Sequence, residues 1–296
     1  MPFRHDFPSK KHFKEWPGLR RMRRHSNPLH SVMSLNNTQL LAALEESRNT
    51  TRARCTDAEW AVRVELAACY RLIAQHRMTD WIYNHISAAV PGEHGHYLVN
   101  AFGLLYEEIS ASNLVKVNTQ GQLVDDVPYD VNPAAFVIHG ALHSARPDVC
   151  CVLHTHTAAG VAVSIQQEGL LSISQHAMRF HNRVAYHTFE GIALNPAEQV
   201  RLIADVGTKN VLILRNHGLL TMGTSISNAF KEMFFLERAC QIQVAALAGD
   251  RPLTQPVAEV CEHTASQFDR DSEFLQERDW NAMLRLLDRT DPSYKN

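Results

Sequence analysis

Two histidines at the end of one apolar run are the feature that most constrains this chain. The run covers residues 149–153, and His154 and His156 follow it on either side of Thr155. Because side chains at positions i and i+2 of a strand point to the same face, a strand here would place both imidazoles side by side. The pattern therefore predicts a sheet in which one strand end carries a pair of nitrogen ligands.

A third histidine has the same kind of setting later in the chain. His217 follows the apolar run 211–214, and Gly218 behind it lets the backbone turn. Three neutral imidazoles at strand ends can hold Zn, Mn, Co or Fe and leave a coordination position open, as a catalytic metal requires. A His-x-His pair also occurs without any ligand role, so the prediction of a metal site depends on all three residues together.

The length and composition are those of an ordinary globular protein with an unusual beginning. The 296 residues, 45% of them hydrophobic and 20% charged, suffice for one large domain or two small ones. The net charge of -2 conceals eight Lys or Arg residues within residues 1–30. We expect residues 1–35 to be a disordered basic extension, with Met33 as an alternative start, and favour this over an arm for nucleic acid or an acidic surface.

The six cysteines show no C-x-x-C spacing and fall in apolar or helical patterns, so they are interpreted as small buried residues of a reducing compartment. No apolar run approaches the ~18 residues of a membrane span. The first residues also lack the apolar core of a secretory signal. Together these patterns predict a cytoplasmic protein without a membrane partner.

Helical and strand patterns mix without strict alternation, which predicts one α/β or α+β domain with a sheet covered by helices. The predicted domain covers residues 36–270, and residues 271–296 are expected to form a helical tail. Asn195 and Pro196 are expected to open a helix, and one or two helices are expected after Pro256. Further helices are predicted at 57–78, 134–144, 157–166 and 225–247, and strands at 81–87, 97–100, 170–173 and 184–188.

Two other histidine pairs compete for a ligand role. His94 and His96 lie in a glycine-rich turn and are interpreted as solvated. His139 and His143 share one helix face at spacing i, i+4, which suits a metal, although a helix packed on a sheet often buries a histidine for hydrogen bonding. They are therefore kept as candidates to support the ligands.

Tyr186 is the candidate proton donor, because a phenol at a sheet edge can protonate a developing carbanion or alkoxide. The alternative is an aromatic core residue with a solvated hydroxyl. Glu190 and the pair Glu107 and Glu108 are other possible acid–base groups, but no pattern brings them near the histidines.

Three segments resemble the class II aldolase/adducin family, and the resemblance runs from about residue 57 to 252. They are 154–156 (His-Thr-His), 216–218 (Asn-His-Gly) and 239–249 (Ala-Cys-Gln-Ile-Gln-Val-Ala-Ala-Leu-Ala-Gly). The resemblance implies a three-layer α/β/α sandwich around a mostly antiparallel sheet and a homotetramer with active sites at subunit interfaces. It also implies that His154, His156 and His217 are metal ligands, and that Tyr186 reaches a neighbouring subunit's site.

The chain departs from the family where sugar-phosphate aldolases act on their substrate. The family's glutamate, both ligand and base, falls on Ala135, which can neither ligate nor accept a proton. Of the phosphate-binding positions only Asn84, Ser87 and Gly103 remain as candidate substrate anchors. Several charge-assisted bonds worth about 1.5–3 kcal/mol each would be lost, so a phosphorylated substrate is disfavoured. His139, His176 and Asn216 are candidates to support the ligands.

Decarboxylation needs an electron sink and a later proton donor but no such base, so it survives the loss of the glutamate. The sequence therefore predicts a metal-dependent carbon–carbon lyase, of aldolase or decarboxylase type, for a small non-phosphorylated hydroxy, keto or aromatic acid. Zinc is the favoured metal. The alternatives are a non-catalytic scaffold resembling adducins, to which residues 173–175 and 239–249 look closest, and a mononuclear non-haem iron oxygenase.

Overall fold

The computed structural model describes residues 36–249 and 251–296, except for the side chains at 134, 271–274 and 276. The basic extension predicted over residues 1–35 lies outside the described residues. Within them, no helix is long and apolar enough to cross a membrane.

Seven strands of the described chain form one sheet in the order β3-β2-β1-β4-β7-β6-β5. Every neighbouring pair is antiparallel except β5 and β6, which confirms the mostly antiparallel sheet. The strands are β1 (Ile86–Ala89), β2 (His96–Val99), β3 (Val115–Asn118), β4 (Cys151–Thr155), β5 (Val184–His187), β6 (Val211–Leu214) and β7 (Gly218–Gly223).

Helices lie before, between and after the strands. They are α1 (Asn37–Arg54), α2 (Asp57–Gln75), α3 (Pro133–Ala135), α4 (Ala141–Ala145), α5 (Ala158–Ile165), α6 (Gln175–Met178), α7 (Glu198–Val206), α8 (Ile226–Leu247) and α9 (Ala258–Thr290). A π-helical turn, Phe136–Gly140, joins α3 to α4, and 3-10 turns cover Tyr106–Glu108 and Pro292–Lys295.

Alternate residues of the central strands face two separate apolar cores, which makes the three layers. In β6, Val211 and Ile213 belong to the larger core, whereas Leu212 and Leu214 belong to the smaller one. The helices α2 and α8 pack into the larger core, and α7 with the π-helical turn packs into the smaller one. This confirms the predicted α/β/α sandwich, because both faces of the sheet are covered by helices.

Side-chain caps fix where the predicted helices begin. The Thr56 hydroxyl accepts the Glu59 N–H at the start of α2, and the Ser225 hydroxyl accepts the Asn228 N–H at the start of α8. The predicted helix at Asn195 and Pro196 begins later, at Glu198, because the Asn195 side chain accepts the Ala197 N–H in a turn.

Two predicted strands are wrong. The strand predicted at 81–87 begins only at Ile86, since Trp81 adopts a left-handed φ of 50° in a turn. Residues 170–173 form no strand, because the N–H groups of Leu170 and Leu171 bond to side chains and not to a neighbouring strand.

The beginning of the described chain also differs from the sequence prediction. Helix α1 was not predicted, since it is polar and buries only Ala43, Ser47 and Thr51, although Asn36 and Gln39 form a capping box at its start. The carboxyl-terminal segment forms one helix, α9, that crosses residue 270 without a break.

Candidate metal centre

The end of β4 and the turn between β6 and β7 bring three histidines together. His154 is the next-to-last residue of β4, His156 follows the strand, and His217 lies between β6 and β7. The β7 strand pairs with β4 in a register that sets Thr155 opposite Leu219. A side chain at Gly218 would overlap the carbonyl oxygen of Thr155, so the close approach of the two segments needs glycine there.

The three Nε2 atoms converge on one point. Nε2 of His154 lies 2.8 Å from that of His156 and 3.3 Å from that of His217, and the last two are 3.0 Å apart. Three nitrogens bound tetrahedrally to zinc at its usual distance lie about 3.3 Å from one another. Among the described residues these three are the group of His, Cys, Asp or Glu side chains placed to hold a metal ion.

The hydrogen bonds of two Nδ1 atoms determine that the matching Nε2 atoms carry lone pairs. Nδ1 of His154 donates to the Leu219 carbonyl at 2.8 Å, and Nδ1 of His156 donates to the Asp80 carboxylate at 3.1 Å. Both partners only accept, so in a neutral ring the proton is on Nδ1 and Nε2 carries a lone pair. Two lone pairs 2.8 Å apart repel each other, and a shared cation removes the repulsion. The donor set therefore fits a divalent metal.

Burial favours the neutral form of two of the three histidines, His154 and His217. Burial, with the nearby charge of His156, lowers the pKa of His217 to about 4 and takes the pKa of His154 well below its usual value. Neutral imidazoles are the form that ligates metals. His156 is 22% exposed at its side chain, so the cluster opens on one side.

The cluster lies in a cavity of about 680 Å³. None of the residues that line it is a lysine or arginine. The polar residues of the lining are Asp80, Tyr83, His85, Asn132, Asn216 and the three clustered histidines. The remaining lining residues are Ile138, Val161, Phe189, Gly191, Ile192, Ala193 and Leu194.

A row of imidazoles extends from the cluster into the protein. The His85 ring lies 5.8 Å from that of His154 and 4.4 Å from that of His139. The Ser87 hydroxyl then lies 2.7 Å from Nδ1 of His139 and 2.8 Å from Nε2 of His143. His139 belongs to the π-helical turn, a distortion often found at functional sites. His139 and His143 therefore meet at Ser87 and do not contact the three-histidine cluster directly.

The proposed substrate anchors do not line the cavity. Ser87 is buried and committed to two imidazoles, and Asn84 is buried with neither amide atom hydrogen-bonded to a described residue. Gly103 is exposed in a loop with a φ of 97°, which explains the glycine by backbone conformation. Ala135 is buried in the larger core.

Tyr186 lies on β5, away from the cavity of its own chain. Its hydroxyl accepts the Leu170 N–H at 3.0 Å, and the guanidinium of Arg215 lies 4.2 Å from the centre of its ring. Within one chain the structure does not bring Tyr186 to the three histidines.

The remaining candidates divide between the cavity and more distant positions. Asn216 lines the cavity in a left-handed conformation, φ 56°, which asparagine tolerates. His176 lies on α6 with its ring 5.9 Å from that of Phe235. His96 bonds to Glu93, and Glu190 pairs with Arg201.

Sequence reasoning missed several residues of the cavity. Asp80, Tyr83 and His85 precede β1, and Asn132 precedes α3; each belongs to a loop whose path no motif reveals. The signal that could have found His85 is its position between Asn84 and Ser87, two of the predicted substrate anchors.

Several known proteins are similar to this chain. The family described as Class II Aldolase and Adducin N-terminal domain matches residues 64–244. A Pseudomonas aeruginosa protein, provisionally named an aldolase class 2 protein, is 48% identical over 248 residues, 82% of this chain and 95% of the relative. Alpha-adducin of Rattus norvegicus is 42% identical over 71% of this chain, but this chain spans only 29% of the adducin.

Two solved structures share the fold. An aldolase II superfamily protein from Pseudomonas syringae is 51% identical, with a TM-score of 0.79 over 83% of this chain and 99% of the other. L-fuculose 1-phosphate aldolase from Glaciozyma antarctica PI12 is 26% identical, with a TM-score of 0.70 over 81% and 93%. The chain therefore belongs to the class II aldolase and adducin family.

Proposed function

We propose that this protein is a metal-dependent carbon–carbon lyase, of aldolase or decarboxylase type, for a small non-phosphorylated hydroxy, keto or aromatic acid. The observation that carries the proposal is the convergence of three Nε2 atoms, two of which are fixed as lone-pair donors by the partners of their Nδ1 atoms. Such a ligand set has no evident purpose in a scaffold.

His154, His156 and His217 would hold the metal, with Asp80 orienting His156. A divalent ion bound there supplies an electrophile that polarises a carbonyl or carboxylate oxygen. Three imidazoles suit zinc well, and Mn, Co and Fe are compatible with them.

The missing base decides between reaction types. Ala135 offers no proton acceptor, and the Asp80 carboxylate that lines the cavity is bonded to His156. Decarboxylation creates its carbanion by loss of carbon dioxide and then needs only a proton donor. This favours decarboxylation over retro-aldol cleavage, which must first remove a hydroxyl proton.

Tyr186 is the proposed proton donor, and it would act on the site of a neighbouring subunit. Within one chain its hydroxyl is bonded to Leu170 and does not reach the cavity. The proposal therefore includes a homotetramer with active sites at subunit interfaces. It also places the enzyme in the cytoplasm, which the six free cysteines support.

The cavity supports a substrate without phosphate. Ile138, Val161, Phe189, Ile192 and Leu194 give it an apolar wall, and none of its lining residues is a lysine or arginine that could pair with a dianion. An apolar or aromatic part of a monoacid fits such a wall.

Two other functions remain as competitors. The similarity to alpha-adducin favours a scaffold, since the matching region is 42% identical. A three-histidine ligand set also suits Fe(II), and this favours an oxygenase.

Metal analysis of protein purified without added metal separates the three functions. Zinc or manganese near one per chain supports the lyase, iron supports the oxygenase, and no stoichiometric metal contradicts both. His217→Ala should abolish binding, whereas His176→Ala, which alters a distant imidazole, should not. Activity is then measured on a panel of β-keto acids, hydroxy-aromatic acids and aldols.

A further inference from the structure

His85 is a fourth imidazole at the cavity that holds the three clustered histidines. It lies two residues before Ser87 and is 2% exposed, and its ring packs between those of His154 and His139. Neither the metal site nor the proton donor described above uses it.

The two nitrogens of His85 differ in their surroundings. Nδ1 is buried and has no hydrogen-bond partner among the described residues. Nε2 also lacks a hydrogen-bond partner among the described residues. Unlike Nδ1 it is not fully buried, so it retains some accessible surface. Because the residue lines the cavity and is otherwise buried, that surface belongs to the cavity.

His85 is not placed as a fourth ligand. The rings of His154, His156 and His217 lie 4.5–4.8 Å from one another, whereas the His85 ring is 5.8 Å from its nearest member of the cluster, His154. Its nitrogens are also outside the group of ligand atoms that lie within 4.8 Å of one another.

We propose that Nε2 of His85 hydrogen-bonds an oxygen atom of the hydroxy or keto acid beside the three-histidine cluster, so that His85 determines which oxygen-bearing substrates bind. This inference rests on the proposed function, since it needs a substrate at that cluster.

A neutral imidazole suffices for this role, and the ring gains or loses no proton. Burial, with the nearby charge of His156, lowers the pKa of His85 to about 3, which agrees with a neutral ring. Nε2 has no hydrogen-bond partner among the described residues and keeps surface at the cavity, so a substrate oxygen there would give it one.

The test uses the whole protein loaded with Co²⁺ and benzohydroxamate as the probe, an aromatic chelator with two oxygens. Its affinity is read from the visible spectrum of the cobalt. His85→Gln places an amide near the position of Nε2, whereas His85→Asn places one near the position of Nδ1. Thermal unfolding and the cobalt content of each variant show whether it folds and keeps its metal.

We expect His85→Asn to weaken benzohydroxamate roughly ten- to a hundred-fold, as for a lost hydrogen bond to a charged oxygen, and His85→Gln to stay within roughly three-fold of wild type. Equal affinity in all three proteins would overturn the inference and leave the proposed function standing. The inference also fails if Asn preserves affinity better than Gln, or if either folded variant loses its cobalt. Wild-type protein that binds no stoichiometric cobalt would contradict both the inference and the proposed function.

Discussion

The Asp80 carboxylate lies 3.1 Å from Nδ1 of His156, a residue 76 positions later in the chain. The contact fixes the tautomer of His156, so that its Nε2 faces those of His154 and His217. Asp80 thus supports the three-histidine cluster although it is not part of it, and no motif around Asp80 in the sequence indicates this.

Asp80→Ala should lower metal affinity roughly 10- to 100-fold, as other carboxylate partners of ligating histidines do. Asp80→Asn should lower the metal affinity less, because its amide oxygen can still accept a hydrogen bond from Nδ1 of His156. The measurement is competition with a chromophoric chelator for Zn²⁺. Asp148→Asn is the control, since that exposed carboxylate pairs with Arg146 away from the cluster. Unchanged affinity in Asp80→Ala would show that the contact does not orient His156.

Tyr186→Phe should remove most activity while retaining the metal. The substitution also leaves the Leu170 N–H without its acceptor, which should cost about 1 kcal/mol of stability, so unfolding must be measured beside activity.

Mixed oligomers test whether Tyr186 acts across an interface. Subunits carrying Tyr186→Phe and subunits carrying His217→Ala are each expected to be inactive alone. Mixed in equal amounts by unfolding and refolding together, they should regain about a quarter of wild-type activity, because that share of neighbouring pairs in a cyclic tetramer combines two intact halves. No recovery, or an active monomer in sedimentation, would place the proton donor elsewhere.

The ion pairs of Glu59 tie α2 to β3. Its two carboxylate oxygens lie 2.8 Å from Nε of Arg63 and 2.8 Å from Nζ of Lys116, and all three residues are buried. Glu59→Gln removes the carboxylate that the two buried cations share, while Lys116 keeps Glu93 and Arg63 keeps Asp125 as further partners. The substitution should therefore cost roughly 1–3 kcal/mol. The exposed pair of Glu45 and Arg48 provides the control: Glu45→Gln should change stability by less than about 1 kcal/mol.

The same ion pairs predict a pH dependence. Burial raises the pKa of Glu59, but the hydrogen bonds and charges of Lys116 and Arg63 outweigh it, so the pKa is lowered in the folded protein. The stability that ionised Glu59 contributes is therefore fully present above the pKa of a glutamate in the unfolded chain, about 4.3. It is lost as the pH falls through the lower pKa that Glu59 has in the folded protein. Urea unfolding should show that the difference in free energy of unfolding between wild type and Glu59→Gln becomes smaller below about pH 4. A difference that stays constant with pH would contradict this account.

Short-range patterns predicted the main strands around the site and the positions of the three clustered histidines at their ends. The strand ends at His154 and His217 follow from apolar runs and a glycine, and the two-residue period of a strand places His154 and His156 on one face. These features depend on a few neighbouring residues, so the sequence carries them directly.

Long-range partners could not be predicted in the same way. Tyr186 and Gln243 accept the N–H groups of Leu170 and Leu171, and this replaces the strand predicted at 170–173. Likewise the path of the chain before β1 decides that Asp80 and His85 enter the cavity. Such contacts join residues far apart in the chain, and the spacing of residue types does not encode them.

Ser87 is the residue whose predicted role changes most. The sequence favoured it as a substrate anchor, yet it is buried, and its hydroxyl lies between Nδ1 of His139 and Nε2 of His143. Ser87→Ala would leave two imidazole nitrogens without this partner, so it should cost about 1–3 kcal/mol of stability. Affinity for benzohydroxamate in the cobalt protein should stay near the wild-type value. The opposite result, normal stability with weakened probe binding, would restore Ser87 as a substrate anchor.

The burial of His143 makes stability depend on pH at mildly acidic values. Burial lowers the pKa of His143 to about 4, although a hydrogen bond to the Val149 backbone raises it in part. The unfolded chain takes up this proton near pH 6.5, before the folded protein does, so stability should fall as the pH decreases from about 6.5 towards 4. His143→Gln removes the titrating group while its amide can still bond to Ser87. Urea unfolding of this variant should therefore show a shallower loss of stability over that range, and a slope identical to that of wild type would mean that His143 is not the group responsible.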